Sequence, residues 1–324
     1  MSKASYPFFS VGFLRSYVIT MRPYLLFISG AAGLVGLAFI EEPAIRVILA
    51  FMPLFLSYGL GQALTDCFQT DTDAISAPYR PLIQGVISRR QVLTVSLAGL
   101  TAGALILGYL NPVILILGFL AVIGLLTYTP FKRTWWGGPP WNSWIVALLP
   151  IMGRLVDRDH GGHMFNLRDP YSLAFFFAVV AIFFGYANFV VMGYFKDIAA
   201  DRKTGYQTFP VVFGWVPAAI YSDLTALAAA VFTGYAVILI GGLNVWVVLV
   251  FGTAFLINLY AQVTIHLTRD ERKTHRPIEN VVRAFILYCM AILLALKINW
   301  LIFIAVFYLL FELTLRLRPE KHQV

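Results

Sequence analysis

Ten stretches of roughly 20 apolar residues recur along this 324-residue chain, at about 22–40, 44–64, 91–109, 112–129, 141–156, 171–195, 216–241, 244–267, 280–297 and 299–315. A helix rising 1.5 Å per residue needs about 20 such residues to cross the hydrocarbon core of a bilayer. With 60% of residues hydrophobic and 12% charged, the chain cannot coat a soluble domain of this length. In hydrocarbon each backbone amide must be satisfied within its own segment, so the runs are expected to be helices. The expectation is an all-α membrane protein: one domain over 1–324, nine to ten transmembrane helices, and 299–316 as a candidate extra C-terminal span. Met1 to Phe13 has no apolar core or small-residue cleavage site, so no cleavable signal peptide is expected. Cys67 and Cys289 are too few for a disulfide or metal framework.

The net charge of +8 points to topology rather than nucleic acid. With the N-terminus in the cytoplasm and the loops alternating, 19 of the 24 Lys and Arg fall on the inner side and 5 on the outer. That is the positive-inside pattern. It favours ten segments over nine, because an odd number would leave the basic C-terminus outside. An inner membrane of a bacterium is the expected location.

Five of the ten aspartates fall in two short stretches, Asp66, Asp71 and Asp73 after the second run, then Asp197 and Asp201 after the sixth. Alternation puts both on the cytoplasmic face, at about 65–90 and 196–214. Asp66, Gln69 and Asp73 share one face if the second helix continues through them, and Asp71 points elsewhere. Asp197 and Asp201 stack at i, i+4, where like charges repel unless a cation lies between them. Carboxylates from two helix ends, with phosphate oxygens completing the set, are the usual way of holding Mg²⁺. Basic residues surround these acids: Arg80 within Pro78–Pro81, Lys196, Arg202, Lys203, Lys132, Arg133 and Arg22. Acids with bases in a membrane suggest a metal-bridged polyanion carrying a long apolar tail, a polyprenyl diphosphate such as geranylgeranyl diphosphate. Aromatic faces are available to shelter an allylic cation. Asn188 and Tyr186 in the sixth span suit either a cavity wall or helix–helix hydrogen bonding. His160 and His163 have loose metal-ligand spacing in an outer loop, and Asp223 lies near the inner end of the seventh run.

The stretch Thr65-Asp66-Cys67-Phe68-Gln69-Thr70-Asp71-Thr72-Asp73-Ala74-Ile75-Ser76-Ala77-Pro78-Tyr79-Arg80-Pro81 resembles the first Asp-rich loop of UbiA-type intramembrane prenyltransferases, most of all their chlorophyll synthase branch. Lys196-Asp197-Ile198-Ala199-Ala200-Asp201, running on to Thr208-Phe209-Pro210-Val211, is similar to the second family motif. Arg22-Pro23, Tyr128-Thr129-Pro130, Trp136-Gly137 and Asn142 also fit. Thr65 stands where the family has Asn, and Gln69 where it has a middle Asp, so one negative charge is gone. The resemblance implies a helical bundle around a central cavity that opens laterally to lipid. It implies Mg²⁺ held by Asp66, Asp73, Asp197 and Asp201, with Arg80 on the diphosphate and Lys132, Lys196, Arg202, Lys203 and Arg22 as further basic contacts. Gln69, Asp71, Tyr128 and Asn188 are candidate cavity residues. The implied reaction moves a prenyl group from its diphosphate to a lipophilic acceptor. A terpene cyclase that ionises the same substrate is the alternative, and a transporter is a third reading.

Overall fold

The computed structural model describes residues 5–158, 166 and 168–320, and among them there are helices and no strands. Lys3, Lys321 and the His160–His163 pair lie outside the described residues. In chain order the helices are α1 (Val11–Met21), a 3-10 turn (Pro23–Leu25), α2 (Leu26–Ala38), α3 (Ala44–Asp66), α4 (Thr70–Ser76), α5 (Arg89–Leu110), α6 (Val113–Lys132) and α7 (Gly138–Arg154). There follow α8 (Pro170–Tyr194), α9 (Ile198–Lys203), α10 (Phe209–Phe213), α11 (Trp215–Ile240), α12 (Val245–Thr268), α13 (His275–Leu296) and α14 (Leu301–Arg316).

Eight of these helices are long and apolar enough to span, and α1 with α2, bent by 46° at Arg22, make a ninth. The remaining apolar run is α7, whose 17 residues reach about 25 Å. The first span therefore starts at Val11, earlier than the hydropathy alone indicates, because its first half carries Arg15 and Ser16.

Burial separates the helices by role. The spanning window of α13 is 78% buried and that of α8 61%, against 22% for α5, α6 and α14. So α13 and α8 form the middle of the bundle, while α5, α6 and α14 face lipid. Lipid tails are as apolar as leucine, so the helices are held by close packing rather than by solvent exclusion. At the α2–α7 crossing a Cβ on Gly36 would stand 2.0 Å from the Pro150 carbonyl oxygen, and one on Gly153 2.7 Å from that of Gly33. The backbones touch there because no side chain intervenes.

Candidate active site

A cavity of about 480 Å³ runs between α3, α5, α6, α7 and α8. Along α6 its wall is the stripe Gly118, Ala121, Val122, Leu125, Tyr128 and Lys132, which is one face of a helix. Gly118 and Lys132 are 14 residues apart, as are Met52 and Asp66 on α3, so the slot is about 21 Å long. Its far part is apolar. The near end carries four cations, Arg22, Arg80, Lys132 and Lys196, and three carboxylates, Asp66, Asp73 and Asp197, with Gln69 among them.

The first acidic stretch does not continue α3. The helix stops at Asp66, the chain turns at Cys67–Gln69, and α4 restarts at Thr70. Asp66, Gln69 and Asp73 still converge on the cavity, because the turn does what a continuous helical face was expected to do. Asp66 is 3% exposed and accepts two hydrogen bonds from Arg22 Nη2, at 3.1 and 3.0 Å, and one from Gln62 Nε2 at 2.7 Å. Arg80 pairs with Asp73 and lies 3.6 Å from Asp66. Gln69 Oε1 accepts from Lys132 Nζ at 2.8 Å, so this uncharged side chain holds a cation at the polar end. Asp71 is not a cavity residue. Half a turn away on α4, it is half-exposed and bonded to Arg133 at 2.9 Å and to the Tyr206 hydroxyl at 3.4 Å.

Arg22 reaches Asp66 through an unusual backbone. It sits at φ 53°, ψ 74° between α1 and the 3-10 turn, a left-handed conformation that a non-glycine residue adopts at a cost of about 1–3 kcal/mol. Both this strain and the 46° bend point the guanidinium into the cavity.

The second acidic stretch arrives from α8. Lys196 and Asp197 line the cavity just beyond the end of that helix. Burial is the main influence on the Lys196 ammonium and pulls it down to about 8, with Asp197 pulling the other way. Asp201 is fully buried behind them. Its Oδ2 accepts from Thr208 Oγ1 at 3.1 Å, while its Oδ1 has no hydrogen-bond partner. Burial pushes this carboxyl up to about 6, opposed by Lys132. Arg202 and Lys203 do not reach the cavity. Ile198 and Asp201, three apart, form the buried face of the short α9, so the next two residues turn into solvent. The two stretches touch, with the Thr72 and Thr204 hydroxyls 3.3 Å apart, and Gln207 N–H ties the second stretch to the end of α6 by donating to the Arg133 carbonyl at 3.0 Å.

Tyr128 lines the cavity as expected, and Asn142, Tyr58 and Tyr186 join it. Asn142 Nδ2 donates to the Tyr186 hydroxyl at 3.4 Å, and that hydroxyl donates to Tyr58 at 3.1 Å. Asn188 is not a cavity residue. It bonds Ser222 at 2.8 Å and Gln262 at 3.4 Å, tying α8 to α11 and α12, which is the helix–helix role. Asp223 pairs with His266 at 2.7 Å away from the cavity. Tyr58 and Gln62 carry no signal in the linear sequence, since one polar group in an apolar helix can face any neighbour.

Among the described residues no three acidic, His or Cys side chains gather closely enough to cage a metal unaided. Magnesium asks for less, one or two carboxylates with phosphate oxygens and water completing its octahedron. Asp197 on the wall and the unpartnered oxygen of Asp201 behind it suit that arrangement.

The profile of the UbiA prenyltransferase family matches residues 25–278, more than three quarters of the chain. This chain belongs to the UbiA prenyltransferase family. It is therefore a multi-pass membrane protein and a prenyltransferase. Among UbiA relatives, it is 25% identical to the digeranylgeranylglyceryl phosphate synthase of Thermococcus kodakarensis over 224 residues, covering 67% of this chain and 76% of that one. To the chloroplastic chlorophyll synthase of Oryza sativa it is 28% identical over 208 residues, 59% of this chain and 52% of that one. The likeness to chlorophyll synthase thus extends past the first loop, but digeranylgeranylglyceryl phosphate synthases share it. A UbiA homolog from Aeropyrum pernix has the same fold, with a TM-score of 0.66 at 18% identity over 86% of this chain and 97% of that one. One from Archaeoglobus fulgidus, solved with GPP and Mg²⁺, gives 0.63 at 18% identity over 86% and 99%.

Proposed function

We propose that this UbiA protein transfers the prenyl group of a long-chain polyprenyl diphosphate, of the geranylgeranyl class, to a lipophilic acceptor within the bilayer. The observation that carries this reading is the polarity of the cavity: all its charged side chains lie at one end of an apolar slot about 21 Å long. The diphosphate sits among Arg22, Arg80, Lys132 and Lys196, and the tail runs up the α6 stripe toward Gly118. Asp66, Asp73, Asp197 and Asp201 would hold the metal, with Gln69 keeping Lys132 in place. Bound Mg²⁺ would withdraw charge from the leaving diphosphate.

The residues supply the remaining steps. Arg80 and Arg22 neutralise charge as it gathers on the departing oxygens, in an environment where such pairing acts through little water. Aromatic faces of Tyr58, Tyr128 and Tyr186 flank the cavity and shelter the allylic cation. The bond between the prenyl C1 and the diphosphate oxygen breaks with its electron pair going to pyrophosphate, the acceptor attacks the resulting cation at C1, and the proton the acceptor then loses leaves with pyrophosphate. The 19-to-5 charge split supports placing this end of the cavity at the cytoplasmic face. We take the membrane to be a bacterial inner membrane, although the relatives it resembles come from archaea and a plant.

The test is pyrophosphate release by reconstituted protein given geranylgeranyl diphosphate, Mg²⁺ and a membrane-lipid extract as acceptor source. Asp73→Ala and Asp197→Ala are each expected to abolish it. Near-normal release by both would remove these residues from the reaction. A terpene hydrocarbon or alcohol formed without any extract would assign the chain to cyclisation instead.

A further inference from the structure

The kink that delivers Arg22 to the diphosphate end is strained, and α1 and α2 do not hold it alone. Arg22 is left-handed without being glycine, and such a conformation persists only where the surroundings impose it. Asp66 fixes its side chain. Its backbone is fixed by the residues next in the chain: Tyr24 and Leu25 of the 3-10 turn are each 1% exposed, and Phe27 lies just beyond them. The helix packed over that turn is α14. Phe307 and Phe311 place their ring centroids 4.9 and 5.8 Å from that of Phe27, and Phe311 is fully buried. A Cβ on Gly30, one turn along α2, would lie 3.1 Å from the Phe307 ring.

Helix α14 is itself keyed in register. Glu312 accepts from Arg283 Nε of α13 at 2.6 Å and from the Tyr308 hydroxyl at 3.1 Å. Just past the helix, Arg318 pairs with Glu279 of α13. These groups are mostly buried, so sliding α14 along α13 would leave charges without partners. All of α14 lies beyond residue 278, where the family match ends.

We infer that α14 is a positioning element for the active site: Phe307 and Phe311, locked by the α13–α14 ion pairs, brace the Pro23–Leu25 turn and so hold Arg22 where it meets the diphosphate. The inference rests on the prenyl diphosphate reading of the cavity. It makes Phe307 and Phe311 positioning residues that act through Arg22, with no contact to substrate of their own.

A double-mutant cycle separates this from general packing. The affinity for geranylgeranyl diphosphate with Mg²⁺ is measured in nanodiscs for the unsubstituted chain, Arg22→Ala, the pair Phe307→Ala with Phe311→Ala, and all three together. Arg22→Ala is expected to weaken binding at least about tenfold, as loss of a charged hydrogen-bonding group does. The phenylalanine pair should weaken it by several-fold, and in the Arg22→Ala background it should add nothing. Leu309→Ala, on the lipid side of α14, is the control and should bind normally. Full additivity of the two effects, or normal binding by the phenylalanine pair while Arg22→Ala is impaired, overturns the inference. If the alanine pair does not fold, Phe307→Leu with Phe311→Leu is read by the same cycle. Absence of binding by the unsubstituted chain would sink the diphosphate reading, and this inference with it.

Discussion

The stripe on α6 makes donor length a measurable consequence of helix geometry. Gly118, Val122 and Leu125 face the slot at 14, 10 and 7 residues from Lys132, which is about 21, 15 and 10 Å along the axis. Phenylalanine at each position should block the slot at that depth. At Gly118 a Cβ meets only Ala104, at 3.5 Å, an ordinary contact, so the ring has room to turn into the cavity. A tail excluded from the slot returns to lipid, which is equally apolar, so little hydrophobic energy separates long donors from short ones. Exclusion is therefore steric and should appear as a cut-off in length rather than a graded loss. Pyrophosphate release is compared for diphosphates of one to four isoprene units. Gly118→Phe should lose the longest donor alone, Val122→Phe the two longest, and Leu125→Phe all but the shortest. Equal loss of every donor by Gly118→Phe, or use of the longest by Leu125→Phe, would refute the assignment of this stripe to the tail.

Arg80→Ala strands the Asp73 carboxylate, and both side chains are close to 10% exposed (11% and 9%). Breaking a buried pair costs about 3–5 kcal/mol, a ceiling here because Arg22 and Lys132 still act on the Asp73 carboxylate, and Arg80→Met with Asp73→Leu should recover most of the melting temperature while remaining inactive. Asp201, raised from 3.8 to about 6 by burial, favours the fold while protonated and loses that contribution as pH rises through about 6. Cation binding needs the carboxylate, so Mg²⁺ affinity measured by titration should fall about tenfold per pH unit below 6, and a flat profile would place Asp201 outside the metal site. Gly36→Ala would set a Cβ 2.0 Å from the Pro150 carbonyl oxygen, and backbone cannot yield as a side chain does. Its cost should lie at the top of the about 1–3 kcal/mol typical of overpacking, visible as a lowered melting temperature in detergent, with Gly234→Ala, whose nearest neighbour is 3.9 Å away, unaffected.

Some of the site is written locally in the chain. Hydropathy runs report solvent preference residue by residue, so the spans could be counted before any contact was known. Asp66, Asp73, Asp197 and Arg80 stand in short motifs at helix ends, where neighbours in sequence are neighbours in space. Asp71, Arg202 and Lys203 share those motifs but not the cavity, because a break at Cys67–Gln69 and the phase of a six-residue helix decide which side chain turns inward. Neither is visible from spacing alone. The same holds for Asn188, whose amide serves an interhelical bond as readily as a ligand.

What the linear chain settles is its solvent and its inventory: a membrane, ten apolar segments, and two acidic clusters with bases beside them. Composition acts additively, and no partner is needed to read it. What only the folded bundle decides is convergence: that α3, α6 and α8 end at one place, that Lys132 leans on Gln69, and that Arg22 is bent into the site beneath α14. Those depend on close packing between segments tens to hundreds of residues apart, and the shapes that fit are properties of surfaces formed only after the helices exist.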